Sequence, residues 1–350
     1  MNFRRGFLSF LLLLAGVSPP LMLAGELTLS TDSDSGFQVV DITHGETQVK
    51  FVPAAGANVY SLRVAGVEYF RQPASLRDLP GVGFGNPVLY PTPNRVRDAK
   101  FTFNDREVRF KPNAGKHHIH GLVNREAWTI VETSSDEGRS SVKCKLSFAE
   151  GTSLGDRFPF PHQLFLTVTV TNETVRWTYE VDNTNGSDPV PYGFALHPYF
   201  VYQGERASTF LTIPATHWME AENQLPTGRL LPGDRVGVPF EEPFSLKGTK
   251  LDDVFFGLTP QQPTTIDFRD VGRRVTIVAS DAFTHLVVWT PDRPYFGIES
   301  QTCSTDAHNL HALGYERAAH LQICEPGGKQ TGWVEYRFSH TSDDSSGGRK

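Results

Sequence analysis

The sequence predicts an all-β fold, a large antiparallel β-sandwich, on three observations. Short segments rich in β-branched and aromatic residues recur along the chain, Gly, Pro, Asn and Asp separate them, and no stretch sustains a helical period. The 24 prolines and 31 glycines are spread evenly through the 350 residues, as a chain of many turns requires. In chain order the segments are FQVVDI (37–42), TQVKFV (47–52), FTFNDREVRF (101–110), WTIVE (128–132) and SVKCKLSF (141–148). Then follow LFLTVTVTNETVRWTYEV (164–181), TTIDFRD (264–270), RVTIVAS (274–280), THLVVWT (284–290) and WVEYRFS (333–339). Leu166, Val168 and Val170 alternate with polar residues, and so do Val175, Trp177, Tyr179 and Val181, which is the period of a half-buried strand. The segment between them predicts a hairpin turning at Asn172-Glu173. Stretches 71–94 and 203–250 read as long loops, the usual carriers of function.

No Ser/Gly/Pro-rich linker and no internal repeat divides the chain, so one domain is expected over 25–340. Residues 1–24 read as an export signal: Arg4-Arg5, an apolar run from Phe7 to Val17, the break at Pro19-Pro20, and small residues at Ala24 and Gly25. The run is shorter than the roughly 20 residues a spanning helix needs, so no membrane span is expected after its removal, and the location expected is periplasmic or secreted. The tail, 341–350, is polar and reads as disordered. A net charge of −6 without long basic runs sets nucleic acid aside. Cys144, Cys303 and Cys324 match no zinc spacing and read as small buried thiols.

The stretch HHIHGLVNREAW (117–128) asks whether its imidazoles bind metal, move protons or fill space. On a strand His118 and His120 would share a face and His117 would point away, so a metal would need a third ligand such as His197. Neither H-E-x-x-H nor a Cys pair accompanies them, and no metal is expected. The nucleophile elbow G-x-S-x-G is absent, although Cys303 lies four residues after Glu299. Glu299 with Asp252 or Asp253 would supply the carboxylates of a glycosidase but would leave the histidines idle. A histidine acid opposite a carboxylate base uses both kinds of group on a small polar substrate.

Six stretches, in order, resemble the aldose 1-epimerase (galactose mutarotase) family: NPVLYPTPNRV (86–96), the IHGL ending at Leu122, the HPYF beginning at His197, LPTGRL (225–230), LDDVF (251–255) and GIESQTCSTDAHN (297–309). The resemblance covers roughly residues 37 to 338. It implies a galactose mutarotase-like supersandwich with a sugar site on a sheet face, interconverting the α and β anomers of a free aldohexose without metal or cofactor. Carried over motif by motif, it implies Glu299 as the base at the anomeric hydroxyl and His197 as the acid at the ring oxygen. His120, Arg95 and Asp252 would bind the sugar. From composition rather than from the resemblance, Trp289 or Phe194 could cover its apolar face, with core packing the expected role of both. Ser300 and Thr305 stand where the family commonly has proline. A non-catalytic carbohydrate-binding protein and a sugar-phosphate epimerase, the latter using Arg95, Arg97 and Arg125, are the other readings. A monomer or homodimer is expected.

Overall fold

A computed structural model describes residues 25–341 other than 236 and 238, so the expected export segment and residues 342–350 lie outside the described residues. Two antiparallel sheets dominate. The nine-stranded sheet runs, in spatial order, Thr129–Ser135, Ser140–Phe148, His162–Val170, Thr174–Asp182, Lys329–His340, Arg273–Ala279, Thr264–Phe268, Thr209–Thr212 and Phe244–Ser245. The eight-stranded sheet runs Leu225–Pro232, His217–Glu222, Asp252–Phe256, His285–Trp289, Tyr295–Gln301, Ala195–Leu196 and Val88–Leu89, and Tyr199–Val201 also pairs with Tyr295–Gln301. A five-stranded antiparallel sheet is built from the segments between Glu26 and Glu68.

Sequence alternation explains the packing. In Ser140–Phe148, His162–Val170 and Thr174–Asp182 every second residue is buried, and the in-facing set includes Leu166, Val168, Val170, Val175, Trp177, Tyr179 and Val181. The hairpin turns at Asn172-Glu173, with Val170 opposite Val175. Asn172 also ties this hairpin to the smaller sheet, its Oδ1 accepting from the Glu46 amide at 3.0 Å.

The sheets meet through large rings: Tyr179 stacks on Phe194 at 4.5 Å, and Phe200 meets Tyr336 at 5.6 Å. One apolar cluster holds these rings together with Leu286, Val288, Phe296 and Ile298. Truncating a fully buried ring such as Trp177 to alanine costs about 3–5 kcal/mol, because a cavity is added to the lost transfer energy. Phe194 therefore belongs to the core, the role expected of it.

The stretch 203–250 is not a long loop. It contains Thr209–Thr212, His217–Glu222, Leu225–Pro232 and Phe244–Ser245. Its prolines and glycines obscured short strands that get their stability from neighbours rather than from their own pattern. Helices are short, the longest described being Ala307–Ala312, and no described helix is long and apolar enough to cross a membrane.

Candidate active site

Alternation along Tyr295–Gln301 determines which residues reach the site. Phe296 and Ile298 point into the core, so Gly297, Glu299 and Gln301 take the opposite face. Ladder partners share a face, which puts Val287 and Val254 beside Glu299, and Trp289 and Asp252 beside Gly297. Ser300 is buried on the core side, so the serine after the glutamate does not enter the site.

His197 follows the strand Ala195–Leu196, and its amide donates to the Pro87 carbonyl at 3.0 Å. Its Nε2 lies 3.2 Å from Glu299 Oε1, and both side chains are buried. Tyr199 stacks on the His197 ring at 4.6 Å, and Trp289 meets its edge at 6.2 Å. His120 stands across from it, with ring centroids 5.1 Å apart and nearly perpendicular. The Nδ1 atoms of His120 and His197 are both buried without a hydrogen-bond partner from another residue. Buried polar atoms are ordinarily paired, so these two are exceptions on facing rings.

The HHIH stretch is not a continuous strand. Pairing covers only His118–Ile119, and His120 takes a left-handed backbone, φ 68°, which ends the alternation expected to put His118 and His120 on one face. The turn is held by the His120 amide donating to Asn94 O at 2.9 Å and by Asn124 Nδ2 donating to His120 O at 2.8 Å. The His118 ring sits 3.0 Å from the carbonyl oxygens of Lys111 and Gly121, bracing the turn from behind. His117 turns to the Asp98 amide instead.

Arg95 and Asp252 line one small cleft with Asn94, Gln224 and Thr305. Both bear on Glu299 electrostatically: the Asp252 charge opposes ionisation of Glu299 and Arg95 favours it. Asp253 is on the other face, accepting from Trp218 Nε1 at 2.9 Å, which separates it from its neighbour. Thus the structure brings Glu299, His197 and His120 into contact and sets Arg95 and Asp252 beside them. Arg97 pairs with Asp306 at 3.3 Å and Arg125 donates to the Pro80 carbonyl at 2.9 Å, so these two arginines have other partners. The Cys303 thiol packs against Ala307, Leu310 and Ala319, where burial pushes it up to about 12, and it is no nucleophile. Cys144 and Cys324 are likewise free and buried.

Burial disfavours charge on each member of the pair. It pushes Glu299 well above the usual carboxylate range and His197 down to about 4, and it drives His120 well below the usual imidazole range. Between the lowered His197 value and the raised Glu299 value the pair therefore holds one proton between two groups. Gln301, which sequence reasoning missed, donates from Nε2 to Glu299 Oε2 at 3.1 Å and favours the ionised form. Period-two spacing from Glu299 could have found it. Gln224, whose Nε2 donates to Asp252 Oδ2 at 2.8 Å, comes from an exposed turn that gives no such signal.

The sequence profile of the family described as aldose 1-epimerase matches residues 38–337. Among solved structures, the chain is similar to a galactose mutarotase-like protein from Clostridium acetobutylicum, with 19% identity and a TM-score of 0.79, covering 90% of this chain and 99% of that one. It is also similar to galactose 1-epimerase from Lactobacillus acidophilus NCFM, with 15% identity and a TM-score of 0.70, covering 91% and 99%. At these identities the likeness is one of fold.

Proposed function

The chain belongs to the aldose 1-epimerase family, and from that premise we propose that it interconverts the α and β anomers of a free aldohexose by general acid–base opening and reclosing of the ring. The observation that carries this reading is the buried His197–Glu299 pair, 3.2 Å apart. The anomeric oxygen and the ring oxygen are bonded to the same carbon, so a proton taken from one and a proton given to the other call for an acid and a base side by side.

In the forward step the Glu299 carboxylate takes the proton of the anomeric hydroxyl. The C1–ring-oxygen bond breaks as the C1 carbonyl forms, and the ring oxygen takes its proton from the His197 imidazolium. After rotation about the C1–C2 bond the transfers run in reverse on the other face of the carbonyl. The pair begins and ends each half-reaction with one proton, so none is exchanged with solvent. Buried neutral tautomers match the open-chain stage, and the ionic tautomers match the ring stage. Arg95 and Asp252 offer a planar donor and an acceptor to neighbouring hydroxyls, His120 a hydrogen bond near the ring oxygen, and Trp289 an apolar surface.

The amino-terminal pattern extends the proposal to an enzyme acting outside the cytoplasm, periplasmic or secreted, on free hexoses. Polarimetry on freshly dissolved α-glucose and α-galactose tests the activity. Acceleration over buffer is expected, with Glu299→Gln reducing it by about 10²- to 10⁴-fold, the worth of one positioned proton transfer. Failure to accelerate any common aldose overturns the reading.

A further inference from the structure

A cavity of about 610 Å³ adjoins the site through His120, which forms part of its wall. The cleft between Arg95, Asp252 and Thr305 measures only about 30 Å³. Of these two spaces, only the one that has His120 in its wall has room for a further sugar ring. The larger volume falls within the roughly 300–1,000 Å³ of ordinary small-molecule sites.

The lining has the mixed character that a sugar ring meets best. Phe110, Pro112, Ile119 and Leu122 supply apolar surface for the C–H face, while Lys111, Arg125, Glu126 and Arg157 supply polar groups for its substituents. Charge on this lining is unbalanced. Arg157 holds the single carboxylate, Glu126, at 2.5 Å, and among the described residues Lys111 and Arg125 have no carboxylate partner. Val82, also on the lining, is 41% exposed between Gly81 and Gly83, both at positive φ.

We propose that this cavity is a second sugar subsite, which takes the unit next to the reducing end of an oligosaccharide and favours a unit bearing a carboxylate. The inference rests on the anomerase reading above for the unit at Glu299. It assigns substrate length and charge to residues with no part in the proton transfers.

The test compares the full-length protein with Val82→Trp, which fills the cavity from an exposed position, and Lys111→Gln, which removes an exposed charge. Anomer exchange at the reducing end is followed by NMR for glucose, a neutral glucose disaccharide, and a disaccharide of glucuronic acid linked to glucose. The expected result is a KM for the acidic disaccharide at least tenfold below that for glucose. Val82→Trp should erase that advantage, Lys111→Gln should bring the acidic disaccharide to the level of the neutral one, and glucose kinetics should be unchanged in both.

Equal KM values for glucose and the acidic disaccharide overturn the proposal, as does preference for the neutral disaccharide or survival of the advantage in both variants. Should no sugar be exchanged faster than in buffer, the catalytic reading fails, and calorimetry decides the subsite on its own. Binding of the acidic disaccharide that is lost in Val82→Trp supports it, and no binding by the unaltered protein overturns it.

Discussion

Glu299 and His197 are both pushed toward their neutral forms by burial, yet the proposed reaction needs one proton to pass between them and the sugar. A pair that keeps a single proton from below neutrality up to the raised Glu299 value meets that need without tuning either group alone. Gln301 adjusts the upper end of this range. Its donated hydrogen bond stabilises the carboxylate, so removing it makes the proton harder to lose. Gln301→Met is therefore expected to move the alkaline limb of kcat/KM upward by about one to two pH units, from the worth of a hydrogen bond to a charged group. Folding should be little affected, because Gln301 Oε1 is already buried without a partner. An alkaline limb that stays in place in this variant would remove Gln301 from the account.

At the scale of elements, legibility followed burial pattern. Thr174–Asp182 was readable because one of its faces is packed, whereas Tyr295–Gln301 is buried on both faces from Phe296 onward, and Glu299 was picked out by its motif rather than by a strand period. The turn carrying His120 was not readable, since a two-residue strand followed by a positive φ leaves no period to detect. Asp252 and Gln224 meet through tertiary pairing across 28 positions, which no local pattern encodes. That turn has its own test. Gly121 is at φ 65°, and a Cβ there would lie 2.2 Å from the Tyr90 carbonyl oxygen, whereas Gly115, at φ 63°, has nothing within 4 Å. Gly115→Ala should bear only the left-handed backbone term, about 1–2 kcal/mol. Gly121→Ala adds a backbone clash, so denaturant melts should show a clearly larger loss, together with loss of activity as His120 is displaced. Equal losses in the two variants would mean that the turn gives way freely and does not fix His120.

For the whole molecule, the buried histidines set the response to acid. His162, His197 and His308 are held down to about 4 and His285 to about 3, each chiefly by burial. The hydrogen bonds of His162 to Tyr90, of His285 to Ala318 and of His308 to Pro191 keep these rings within packed surroundings. Because the folded-state values lie below the unfolded imidazole value of about 6.5, their contribution is fully present above that pH. As pH falls toward 4 the unfolded chain takes up protons that the folded one refuses. Each of His162, His285 and His308 then costs up to about 1.4 kcal/mol per pH unit, and the three together reach about 4 kcal/mol per unit, whereas the proton held by the His197–Glu299 pair offsets the one His197 takes up on unfolding. A domain of ordinary stability, about 5–15 kcal/mol, would exhaust its margin within about one to four units. Unfolding is therefore expected as pH falls below about 5. On the acid side, activity and tryptophan fluorescence should consequently fall together. His308→Gln should shallow the dependence of unfolding free energy on pH by about a third. A stability that stays flat from pH 7 to 4 would show that His162, His285 and His308 are not held neutral in the folded chain.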